Sequence, residues 1–387
     1  MLTVPLTRRS LTLATGAAAL AGLLGRGPAL AQARLLEETV SFTGQILFLQ
    51  TKVPALVIGA VRNGETFVTG FGETRPGSGK APGGDTVMRI GSISKAFAGG
   101  VLASLAADGT VRLSDTLEKW LQWPVTIPER DGSLIRLVDL ATHASGLPRE
   151  AERKPGPPDN PFGTLTRDVY IANLKGDPLM FAPGRGAFYS NFGFDLLAQA
   201  LAGAAGKPYP QLVAERITEP LGLKDTVLDL NDDQRARQMT GHGFDREPLP
   251  SVPSNPLMAG SGGLHSTPND ILRWLDWQLQ RGGGHDPEAR LVAQASYLRR
   301  DGISPVYGLD ESGRMDALGL AWIVMHPEAN RPLIMQKAGG LQGIFCYAAF
   351  APTRNVGVFV AINAFDIGAS MLMATVVNEL IATLAPR

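Results

Sequence analysis

The sequence contains a single cysteine, Cys346, which excludes an internal disulfide and any multi-cysteine metal site. It lies in the apolar run Ile344-Phe345-Cys346-Tyr347, the setting of a packed strand residue rather than a reactive one. A surplus of charge is missing too. Lys plus Arg and Asp plus Glu number 36 each, so there is no basic excess to hold a nucleic-acid backbone, and no nucleic-acid partner is expected. The five histidines, His143, His242, His265, His285 and His326, form no metal-ligand spacing with one another or with a carboxylate. That disfavours a zinc hydrolase, and neither a metal nor another cofactor is implied. His265 reads as a loop histidine bonded to backbone, and Trp322 as a core residue.

What is present is the composition of an ordinary globular protein. At 387 residues with 44% hydrophobic and 19% charged content, the chain can bury a large core and form two lobes. Its start differs from the rest. Arg8 and Arg9 precede an Ala/Gly/Leu-rich run over 11–24, and Ala29-Leu30-Ala31 supplies small residues for a signal peptidase, so residues 1–31 read as an export signal. Thr7-Arg8-Arg9-Ser10-Leu11 suits the twin-arginine route, with an ordinary secretory signal as the alternative. The apolar run is broken by glycines and falls short of the roughly 18 to 20 residues of a membrane span, so no stable anchor is expected. The mature chain, 32–387, is then periplasmic or secreted and close to neutral.

Strand patterns occupy both ends of that mature chain. Residues 46–49 and 55–61 are rich in branched side chains, and the second run passes through Asn63-Gly64 into 66–71, a strong hairpin signal. Near the other end, 343–350 and 356–362 read as strands around the turn 351–355, followed by an apolar helix over 370–384. Between them, 93–108, 192–204 and 268–280 carry helical periodicity. The expected fold is α/β of the α+β kind: one antiparallel sheet from both chain ends, about 35–110 and 310–387, with a mainly helical lobe inserted over about 111–309.

Three segments carry chemistry. In Gly91-Ser92-Ile93-Ser94-Lys95 a helix begins, and residues three apart share a face, so the Lys95 amine can sit beside the Ser92 hydroxyl while Ser94 is turned away. The helix start also brings backbone N–H groups and a positive dipole end to the oxyanion of an acyl transfer. In Tyr189-Ser190-Asn191 the outer two side chains face one way if the segment is extended. A phenol can relay a proton there, and an amide can orient a lysine and a substrate carbonyl. In Lys337-Ala338-Gly339-Gly340 a cation is followed by nearly bare backbone on a strand edge, where a peptide could pair as an added strand. Each segment alone also fits a bland role: a capping serine with a surface lysine, a packed tyrosine beside a capping asparagine, or a solvated lysine before a turn.

In this order the segments resemble the Ser-x-x-Lys, Tyr-x-Asn and Lys-Thr-Gly motifs of the serine β-lactamase and penicillin-binding-protein superfamily. Thr142-His143-Ala144-Ser145-Gly146-Leu147-Pro148, residues 220–226, residues 262–270 and Gly319-Leu320-Ala321-Trp322 are similar to accessory signatures of its class C branch. That branch holds class C β-lactamases, D-alanyl-D-alanine carboxypeptidases and endopeptidases, and esterases. The resemblance implies a β-lactamase/transpeptidase-like fold and a serine hydrolase acting through an acyl-enzyme, most of all on peptidoglycan peptides, with β-lactams as acylating ligands. A non-catalytic penicillin-binding sensor is the alternative from another class.

By the same resemblance Ser92 is acylated, Lys95 takes its proton, and Tyr189 protonates the leaving amine. Lys337 would lower the Lys95 pKa by its charge and attract a substrate carboxylate. Asn191, Lys337, Gly339 and Gly340 bind substrate, and the N–H groups of Ser92 and Gly340 form the oxyanion hole. Ala338 departs from the motif, where a Thr or Ser hydroxyl is usual.

Overall fold

The computed structural model describes residues 26–385, with side chains from residue 32. Residues 1–25 and the side chains up to 31, where the export signal is expected, lie outside that description.

An eight-stranded antiparallel sheet organises the molecule. Its strands are β1 (Ala55–Arg62), β2 (Glu65–Gly72), β6 (Leu298–Arg299), β8 (Ala317–Leu318), β9 (Ile323–Met325), β10 (Ile334–Leu341), β11 (Ile344–Ala351) and β12 (Val356–Ile362). Four further two-residue strands form small side sheets: β3 (Met88–Arg89) with β5 (His265–Ser266), and β4 (Ala187–Phe188) with β7 (Val306–Tyr307). The large sheet runs β2-β1-β12-β11-β10-β9-β8-β6, so the first hairpin is stitched to the last strand. Asn63 and Gly64 both take positive φ (52° and 81°), the turn an Asn-Gly hairpin needs to match strand twist.

The helices that matter for the site are α1 (Arg26–Thr51), α2 (Ser94–Ala107), α3 (Arg167–Lys175), α4 (Asn191–Ala205), α5 (Pro268–Leu279), α6 (Pro287–Gln294) and α7 (Ile367–Leu384). One face of the sheet is covered by α1 and α7, the other by α5 and the helical lobe. Alternation along β12 feeds both layers: Phe359 and Ala361 enter one core, Val358, Val360 and Ile362 the other. Under the helical lobe a ring column runs Phe97, Trp274, Trp322, Phe350, with centroids 4.4, 5.3 and 5.0 Å apart. Among the described residues α7 is the one helix long and apolar enough to cross a membrane. It lays Met373, Val377, Leu380 and Ile381 on the sheet.

One expectation is corrected. Residues 46–49 form no strand but belong to the last turns of α1. The burial of Leu36, Val40, Leu47 and Thr51 follows helical spacing, while Ile46 and Leu49 between them are exposed. The run 46–49 is simply where the apolar stripe and two exposed residues happen to be consecutive.

Helix α2 is buried on nearly every side from Ser94 to Leu105, as a central helix must be. A short 3-10 turn, Gly91–Ile93, leads into it from β3 and carries Ser92. Gly91 has φ +47°, and a Cβ there would lie 2.6 Å from the Gly340 nitrogen. Only glycine lets the Ser92 turn approach β10 this closely.

Candidate active site

The three segments meet at the seam between the sheet and the helical lobe. Ser92 is half-buried, and the Lys95 Nζ lies 3.1 Å from its Oγ. Ser94 points the other way, its Oγ accepting from the Leu264 N–H at 3.2 Å. Lys95 is fully buried and also donates to Asn191 Oδ1 (2.6 Å) and to the Ser261 carbonyl (2.5 Å).

Helix α4 explains how Asn191 is available. Ser190 is its N-cap, with Oγ accepting from the Gly193 N–H at 2.9 Å and donating to the Pro148 carbonyl at 2.6 Å. The asparagine is therefore the first helical residue rather than the cap, and its side chain is free to reach Lys95. Its Nδ2 donates to Glu150, and its backbone N–H donates to the Arg149 carbonyl at 2.8 Å.

Tyr189 stands among cations. Its ring centroid is 4.7 Å from the Lys337 Nζ, 5.0 Å from the Lys95 Nζ and 4.7 Å from the Arg149 guanidinium carbon. His143 stacks on the ring at 4.5 Å and accepts the Ser190 N–H at Nδ1 (3.1 Å). Burial first, then the charges of Lys337, Lys95 and Arg149, hold His143 far below its usual pKa, so it is a neutral spacer.

Strand β10 brings Lys337. Pairing with β9 stops at Gln336, whereas pairing with β11 continues through Gly340 to Leu341. The stretch from Lys337 to Leu341 thus offers one edge unpaired by β9. Ala338 is half-buried, opposite Tyr347.

Electrostatics favour a neutral amine at Lys95. Burial lowers its pKa well below the ordinary lysine value, Asp195 and Glu150 oppose the shift, and Arg149 adds to it. The cation that adds to the lowering is thus Arg149, not Lys337, the one the resemblance implied. Lys337 is lowered to about 8, chiefly by burial, with the Lys95 charge adding and Tyr189 opposing. Asp195, one helical turn beyond Asn191, is buried and pushed up by desolvation while accepting the Tyr170 hydroxyl from α3 at 2.6 Å. Among the described residues its second oxygen has no partner within hydrogen-bond geometry, although the Ser261 hydroxyl lies close enough to oppose the shift.

His265 and Cys346 keep to structural roles. His265 bonds the Leu228 carbonyl through Nδ1 at 3.1 Å, and burial lowers its pKa to about 3. The Cys346 thiol is buried against the Ile90 carbonyl (3.2 Å), and burial raises its pKa. Arg149, Glu150, Asp195 and Ser261 are the site's neighbours that the motifs did not disclose. Only Asp195 had a readable signal, its i,i+4 spacing from Asn191.

A hydroxyl beside a desolvated amine, a phenol and a second cation is the equipment of a serine acyl-transfer enzyme. The chain belongs to the beta-lactamase family, whose model matches residues 30–381, and it is a serine-type hydrolase. It is 40% identical over 322 residues to the D-alanyl-D-alanine-carboxypeptidase/endopeptidase AmpH of Escherichia coli K12, covering 81% of this chain and 80% of that protein. A beta-lactamase of Pseudomonas fluorescens is 23% identical over 348 residues, covering 85% of this chain and 93% of that protein. Among solved structures, a Yersinia pestis beta-lactamase/D-alanine carboxypeptidase complexed with citrate is 37% identical, with a TM-score of 0.81 over 91% of this chain and 99% of that one. A class C beta-lactamase with a TM-score of 0.74 over 91% of this chain and 97% of that one, at 19% identity, shares the fold.

Proposed function

We propose that the protein is an exported D-alanyl-D-alanine carboxypeptidase/endopeptidase that cleaves peptidoglycan peptides through an acyl-enzyme on Ser92. The observation that carries the acyl-enzyme step is the buried Lys95 amine 3.1 Å from Ser92 Oγ. The peptide substrate rests on the likeness to the E. coli enzyme and on the β10 edge open to an extended chain.

Ser92 Oγ attacks the carbonyl of the penultimate D-alanine, and its proton passes to neutral Lys95. The oxyanion is received by the N–H groups of Ser92 and Gly340. Tyr189 protonates the departing amine, and Lys337 holds the carboxylate of the leaving D-alanine. Water then hydrolyses the ester, freeing the shortened peptide and Ser92.

Parallel incubation of the mature protein with a D-Ala-D-Ala peptide, a cephalosporin and a short p-nitrophenyl ester tests the substrate. The expected outcome is D-alanine release with the highest kcat/KM of the three. Preference for the cephalosporin or the ester overturns the peptidase reading in favour of a β-lactamase or an esterase, and no turnover with any of them favours a sensor. Export is tested by replacing Arg8 and Arg9 with lysine: blocked export identifies the twin-arginine route, and unimpaired export the general secretory one.

A further inference from the structure

A cavity of about 160 Å³ opens beside the β10–β11 turn, and its lining includes Arg75, Arg89, Arg235, Gln238, Ser251 and Gln342. That is close to the ~150 Å³ of a void that admits a benzene ring. No carboxylate lines it, and among the described residues none of the three arginines has a carboxylate within salt-bridge distance.

Arg89 is 5% exposed, and among the described residues its guanidinium makes one hydrogen bond, from Nη2 to the Val252 carbonyl at 2.7 Å. Arg75 spends one donor on the Ala236 carbonyl at 2.5 Å, and the exposed Arg235 guanidinium bonds nothing among the described residues. A guanidinium has five donors, so most of this set is unspent. Buried cations are ordinarily paired, and Arg89 is not; burial lowers its pKa to about 10, with the charge of Asp229 offsetting only part.

We infer that this cavity is an anion-binding site for a carboxylate carried on the acyl part of the substrate. Its place follows from the strand order. Tyr189 and Lys337 mark the leaving-group side, and Gly340 lies beside the Ser92 turn. The acyl part therefore runs away from Lys337, toward Leu341 and Gln342. Gln342 lines the cavity two residues past Gly340, and Arg89 lines it three residues before Ser92. This inference rests on the peptidase reading above.

The test uses two peptides ending in D-Ala-D-Ala that differ by one residue of the acyl part, glutamate against glutamine, with the native enzyme, R235Q and R75Q. Both arginines are exposed, so these variants keep the fold. The acidic peptide is expected to show a KM about tenfold lower, the size of one charge-assisted hydrogen bond. Each variant should remove that preference while leaving kcat and the glutamine peptide unchanged. Inorganic phosphate should raise the native Tm, and do so less in R235Q. Phosphate stabilisation without peptide discrimination overturns the substrate assignment and leaves a site for free anions; the absence of both overturns the site. Failure to cleave either peptide counts against the peptidase reading, and the phosphate response still decides whether the site exists.

Discussion

At the scale of single residues, activity turns on whether Lys95 is protonated. The base must be neutral to accept from Ser92, so acylation rises as pH climbs through the Lys95 pKa. The Asp195 charge favours the ammonium and raises that pKa, against the lowering by burial. Asp195→Asn keeps an acceptor for Tyr170 and removes the charge, so the acid limb of kcat/KM is expected to move to lower pH. A uniform loss with an unmoved limb would mean that Asp195 only packs the helix. Ala338 gives a second residue-scale prediction. Ala338→Thr restores a hydroxyl, and kcat/KM for a carboxylate-bearing substrate should improve by about 0.5 to 1.5 kcal/mol, or about 3 for a bond to a charged group. A neutral ester should change little; an equal change for both means the position only packs against Tyr347. The motif residues were legible because helical and strand spacing puts them on common faces. Arg149, Glu150 and Ser261 were not, since each reaches the site from a loop whose path only the tertiary structure sets.

At the scale of elements, the turn Gly91–Ile93 is what couples nucleophile to strand. Gly91→Ala combines positive φ with a Cβ 2.6 Å from the Gly340 nitrogen. It should cost about 1 to 3 kcal/mol of stability and slow acylation by about a hundredfold through misplacement of Ser92. Thermal unfolding and the acylation rate check both, and a variant with native rate and Tm would show that the close approach is dispensable. The element misread in the sequence, 46–49, has its own test. Leu47→Ala should destabilise by about 2 to 5 kcal/mol, because Leu47 is 0% exposed on the sheet-facing side of α1. Leu49→Ala, at 61% exposure, should stay within about 0.5 kcal/mol. Equal costs for both would contradict the helical face. Four apolar residues in a row cannot distinguish strand from helix by periodicity; the decision comes from the sheet surface that α1 covers. The hairpin at Asn63-Gly64 and the last strands were legible because turn chemistry marks their ends.

At the scale of the whole molecule, the first hairpin and the last strands share one sheet, and the helical lobe closes over it. That arrangement places residues 92–95, 189–191 and 337–340 within one cleft although about 100 to 150 residues separate them. Which ends of the chain are β-rich was visible in the sequence; the order of strands, and the arginine cavity formed by five separate segments, was not. The most direct test of the central claim is intact-protein mass spectrometry after brief exposure to a penicillin, with peptide mapping of the adduct. One covalent acyl group is expected, located on Ser92, absent from a folded Ser92→Ala variant and retained in Ser94→Ala. An adduct that persists in Ser92→Ala, or maps to another residue, would contradict it.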